Sequence, residues 1–87
     1  MNFLHYELQL GQHDVVVVTL DKQANVQLMD SSDFDNYRRR ERFSYYGGLV
    51  KQSPFRLKPP HGGNWHLAID LGGYAGSVSA SVNVERH

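Results

Sequence analysis

Asn64-Trp65-His66-Leu67-Ala68-Ile69-Asp70-Leu71 decides the class of this chain. Side chains alternate with a period of two along an extended backbone. Trp65, Leu67, Ile69 and Leu71 therefore share one side, and His66, Ala68 and Asp70 the other. Beyond Gly72-Gly73, the residues Val78, Ala80, Val82 and Val84 alternate with Ser77, Ser79, Ser81, Asn83 and Glu85 in a second strand of the same kind. The two glycines between them suit a hairpin, which needs positive φ without a Cβ penalty. Strands with one apolar face require a second layer to cover it, so the fold is built of β-layers. Trp65 leads the apolar face of the stronger strand and is expected between those layers.

Working outward, Leu4, Tyr6, Leu8 and Leu10 alternate with Phe3, His5, Glu7 and Gln9, giving a first strand with one buried face. Val15-Val16-Val17-Val18-Thr19-Leu20 is β-branched and apolar on both sides, which predicts a central position covered on both faces. Ala24–Met29 follows with Val26 and Leu28 inward. A link as short as Asp21-Lys22-Gln23 predicts an antiparallel hairpin between these two strands. Asp30 to Asp35 then offers helix caps and acids for a positive helix end, with Arg38, Arg39 and Arg40 at the opposite end. This predicts one short helix over about 32–41, covering an end of the fold. From Phe43 the chain is extended again, and Pro54 confines its neighbourhood to an edge or a strand start. With no repeat, linker or low-complexity tract, residues 1–87 read as one domain. The architecture expected is mainly β: an antiparallel sandwich or partly open barrel of about six to eight strands.

The 87 residues contain no cysteine, so apolar packing holds the fold without disulfide or thiolate–metal staples. Nine basic and nine acidic residues cancel, but not locally. Between Tyr37 and Lys58, seven basic residues face one acid, Glu41, for a balance of +6; the remaining two basic and eight acidic residues sum to −6. Such a dipolar molecule attracts an anionic ligand or a protein partner, and in its plainer form is a helix with complementary ends. The opening residues lack the basic and apolar regions of a signal peptide, and the longest apolar run, Val15–Val18, is far too short for a membrane span. A cytoplasmic monomer with no membrane contact is the expectation.

The chemistry-bearing residues form no strong motif. The five histidines lack the spacing that aims two imidazoles at one ion, so neither a metal nor a cofactor is expected. No nucleophile elbow surrounds any serine, and no catalytic residue is assigned. His66 and Asp70 share a strand face that reads as solvated. With a loop histidine such as His61 they offer the alternative of a small hydrolase or isomerase. The Gly-Gly pairs at 47–48, 62–63 and 72–73 precede no phosphate-binding helix, and suit strand ends and bulges. The interleaving of aromatics and cations after Tyr37 is the stronger feature, since exposed rings beside cations hold anions, sugars or single-stranded nucleic acid. It nominates Arg38, Arg42, Tyr46, Arg56 and Lys58 as a ligand-binding patch, with Arg38 and Arg42 on one face if the helix extends that far. The alternative is a glycine-rich rim of His61, Gly62, Gly63, Gly72 and Tyr74.

Gly11 and Asp14 before the valine run, Asn25-Val26 with Leu28-Met29-Asp30, Tyr45-Tyr46-Gly47-Gly48, and His61, Gly63 and Trp65-His66 with Asp70-Leu71-Gly72-Gly73-Tyr74 form a pattern spanning nearly the whole chain. In these residues the sequence resembles a bacterial family called domain of unknown function 1883. Its members are small stand-alone proteins or domains attached to others, TIR signalling domains among them. The resemblance implies a mostly β, bacterial, cytoplasmic domain and transfers no catalytic residue. The reading that follows is a non-catalytic binding or interaction module.

Overall fold

A computed structural model describes residues 3–86, which form seven strands and one helix. Strand β1 is Leu4–Leu10, β2 Val15–Leu20, β3 Ala24–Met29, β4 Tyr46–Val50, β5 Phe55–Leu57, β6 Gly63–Asp70 and β7 Ala80–Glu85; helix α1 is Ser31–Arg38. Two antiparallel sheets face each other, one ordered β1-β6-β3-β4 and the other β5-β2-β7. This is the mainly β, sandwich-like architecture that the alternation predicts, and the sheets do not close into a barrel.

The core lies between the sheets. Val16, Val18, Val26, Leu28, Leu67 and Ile69 are fully buried there, and Trp65 is 3% exposed, as its place on the apolar face requires. Each is the inward residue of a period-two strand, so burying one set leaves the alternate set outside.

The strand pairing departs from the short-link expectation twice. β2 pairs with β5 and β7, while β3 lies in the opposite sheet between β6 and β4, so no β2–β3 hairpin forms. Both edges of each strand are already taken. The Asp21 corner instead meets the start of β7: its N–H donates to the Ser79 carbonyl at 3.1 Å, and its carboxylate accepts from Ser79 N–H at 2.9 Å. The Gly72-Gly73 corner behaves alike. Gly72 (φ 66°) and Gly73 (φ 92°) occupy the centre of a turn closed by Tyr74 N–H on Leu71 C=O at 3.2 Å. Two positive φ values are what a type I′ turn needs. The turn chemistry is the expected one, yet the chain then crosses to the other sheet, because β6 is already flanked by β1 and β3.

Two expectations about faces are also corrected. β2 is central in its sheet, but its outer face is sealed only at Val15: Val17 is half-buried and Thr19 exposed. The face carrying His66 and Asp70 is not solvated, because α1 lies across it rather than over an end. Phe34 and Tyr37 pack there on Met29 and Ala68, flanked by Phe3 and Phe43. His66 and Asp70 are consequently buried, at 8% and 4% exposure.

Helix α1 starts at Asp30, whose carboxylate accepts Asp33 N–H at 2.8 Å. It stops at Arg38, three residues before the expected 41. Glu41 N–H reaches back to Asn36 C=O at 2.8 Å and Arg40 N–H to Tyr37 C=O at 3.2 Å. This is a Schellman stop, which requires a left-handed residue at the position held by Arg40, φ 61°. Glycine is the usual occupant; an L side chain there costs about 1–2 kcal/mol.

Candidate ligand-binding cleft

Arg40 is aimed where β6 ends. A cleft of about 650 Å³ opens there, floored by Phe3, Leu4, Ile69, Leu71 and Val78 and walled by the 71–78 connection. Arg40 and Asp70 supply its charged lining. No hydrogen bond or ion pair engages the Arg40 side chain among the described residues, whereas Asp70 is fully committed. Asp70 Oδ2 accepts the Tyr37 hydroxyl at 2.6 Å, and Oδ1 accepts Asn25 Nδ2 at 2.9 Å and Gly72 N–H at 2.8 Å. Asp70 therefore anchors the glycine corner from beneath the helix, and Arg40 is the cation left for a ligand. Burial, and then the bond to Asp70, raise the Tyr37 hydroxyl far above the ordinary value of 10.0, so it stays a donor. Tyr74 is 84% exposed on the cleft wall, an aromatic surface without a protein neighbour to cover it.

The nominated basic patch does not assemble on one surface. Arg38 is in the last turn of α1, paired with Asp35 at 2.8 Å and lying 5.3 Å over the Phe34 ring. Arg42 falls beyond the helix stop, so no helical face unites it with Arg38. Arg56 points out of the other sheet and pairs with Glu85, with Lys58 exposed just after β5. Tyr46 packs edge-on against Trp65, ring centres 6.1 Å apart. The glycine-rich rim also divides. His61, Gly62 and Gly63 lie where β6 begins, and Gly72 and Tyr74 where it has ended, about 25 Å along an eight-residue strand. Only the second half of that rim joins the larger cleft.

His66 and Asp70 do not touch through a hydrogen bond. His66 Nδ1 meets His5 Nε2 at 2.9 Å and its Nε2 meets Ser31 Oγ at 2.9 Å. The Phe34 ring stacks on both imidazoles, at 4.1 Å from His5 and 4.7 Å from His66. Burial, and then the charge of His66, lower the His5 imidazole from its ordinary 6.5, with Glu7 opposing and Arg38 adding. A serine, a base and an orienting group in one line have the form of a nucleophilic array. Neither of the two clefts, however, is lined by Ser31, His66 or His5. Among the described residues no three histidine, aspartate or glutamate side chains converge to hold a metal, and no helix is long and apolar enough to cross a membrane.

The family model for the domain of unknown function (DUF1883) matches residues 1–87, the whole chain. The chain belongs to this family. No curated protein matches the sequence, and no solved structure does. The DUF1883 sandwich thus brings no relative's activity with it.

Sequence reasoning places Arg40 in a basic run but does not single it out as the arginine that lines this cleft. Three successive arginines carry no local sign of which one follows the helix stop, and only the Schellman geometry singles one out.

Proposed function

We propose that this domain is a non-catalytic binding module whose larger cleft takes a small organic anion with an apolar or aromatic body. One observation carries the reading: Arg40 occupies a left-handed backbone position that favours glycine, while its side chain lines the cleft without a protein partner. A costly backbone position held by a functional side chain is a mark of a working site. The rest of the cleft supports it. Apolar residues floor it, Tyr74 offers a ring to stack on, and the volume of about 650 Å³ is that of a small-molecule site. Asp70 already accepts three hydrogen bonds, so its charge is spread over donors of the protein.

Amide NMR with phenyl phosphate as the probe tests this. Saturable shifts are expected at Arg40 and across Leu71–Val78. Shifts confined to Arg38, Arg42, Arg56 and Lys58 would instead give the role to the dispersed basic residues as a polyanion contact, and overturn the cleft.

A further inference from the structure

The second cleft has the opposite chemistry. It measures about 340 Å³ and lies where β3 runs into α1 and β6 begins. Its walls are Tyr45, Tyr46, Trp65 and His61, with Asp30 and Asp33 on the helix side. The Trp65 ring, almost wholly buried, stands 6.1 Å from Tyr46 at 75° and 5.0 Å from His61 at 44°, so it closes the base of the cleft behind those two rings. Tyr45 and Tyr46 are 44% and 50% exposed, which leaves ring surface for a ligand.

Aromatic faces are negative and attract cations. Both carboxylates are only half used. Asp30 Oδ1 accepts Asp33 N–H at 2.8 Å and Asp33 Oδ1 accepts Ser44 N–H at 3.1 Å, while neither Oδ2 has a hydrogen bond among the described residues. The start of α1 contributes about half a positive charge at most. Two carboxylates outweigh it, and no lysine or arginine lines the cleft. An anion is repelled here, and a neutral apolar group gains nothing from the acids. A primary ammonium finds acceptors only on the Asp30 and Asp33 side, and its remaining N–H donors meet ring carbon. A methylated ammonium carries its charge behind carbon and needs no such partners.

We infer that this cleft binds a small methylated ammonium. The site is separate from the Arg40 cleft and stands whether or not that one binds an anion. His61 belongs to it, and so does Tyr46, which the sequence alone groups with cations for an anionic ligand.

Trp65 is the single tryptophan, so its fluorescence, excited selectively over the tyrosines, reports on this cleft. Choline, titrated against the intact domain, is expected to give a saturable change. Its neutral isostere 3,3-dimethylbutan-1-ol is expected to bind at least about tenfold more weakly. Tyr45→Ala, at an exposed ring whose loss spares the core, should weaken choline severalfold with little change in melting temperature. Asp33→Asn should weaken choline but not the isostere. A response that stays linear in choline overturns the proposal. Equal affinity for the isostere, or a Tyr45→Ala, Asp33→Asn double variant that still melts cooperatively and binds choline as the parent does, overturns it as well.

Discussion

The Tyr37 hydroxyl donates to Asp70 Oδ2 at 2.6 Å, joining the helix to the strand it covers and to the glycine corner that shapes the larger cleft. Tyr37→Phe keeps the packing and removes one of three donors from a buried carboxylate. We expect a loss of about 1–3 kcal/mol, read as a lower midpoint in urea. The same bond fixes an alkaline response. The folded state keeps a proton that the unfolded chain gives up near pH 10, so this contribution is full below that pH and falls away above it. In NMR the Tyr37 ring signals should hold their neutral positions through the range where an ordinary phenol titrates, and move only with unfolding.

His5 gives the acid-side counterpart. Its folded-state pKa lies below the ordinary 6.5, so the unfolded chain takes up the proton first as pH falls. The stability it contributes is present above 6.5 and is lost as pH drops through the folded value. A histidine NMR titration should place the His5 midpoint under 6.5. His66→Gln removes the neighbouring charge and should bring that midpoint part of the way back, since burial remains. A midpoint unmoved by the substitution would remove the charge of His66 from this account.

Gly47 tests the sheet geometry. A Cβ built there stands 2.1 Å from the Val26 carbonyl oxygen, and φ is 128°. Gly47→Ala must therefore push β4 off β3 and should cost about 3 kcal/mol or more, enough to leave a domain this small partly unfolded. Gly48→Ala meets no atom within 4 Å, so its strain comes from a φ of 148° alone and it should cost less. Equal melting temperatures for the two variants would contradict the β3–β4 register.

Much of this fold is legible in the sequence because strand alternation is local. Trp65, Leu67 and Ile69 declare their face within six residues, and Asp30 caps the start of α1 through an N–H only three residues away. Sheet membership is not local. Asp21-Lys22-Gln23 and Gly72-Gly73 have the look of hairpins, yet both carry the chain across the sandwich, because the strands they leave find other partners far along the chain. The sites suffer for the same reason. Whether His66 and Asp70 face water depends on where the helix docks, and the nine-residue span from Asp70 to Val78 becomes a cleft wall only when Arg40 arrives from the helix stop. The cross-strand meeting of His5 and His66, 61 residues apart, has no counterpart in spacing.

Arg40→Gly should stabilise the domain. It relieves a side chain at φ 61° and keeps the Schellman hydrogen bonds, which are made by the backbone. A gain of about 1 kcal/mol is expected after the flexibility of glycine in the unfolded chain is set against it. A melting curve checks this directly; a lower midpoint would mean that the Arg40 side chain holds the fold together.

The affinity of Arg40→Gly for phenyl phosphate, measured beside that of the parent domain, bears most directly on the cleft. Losing a charge-assisted contact of about 1.5–3 kcal/mol should weaken binding by roughly 10- to 100-fold in a protein that melts higher than its parent. Undiminished affinity in that more stable variant would contradict the claim that Arg40 is kept in a strained position for a ligand.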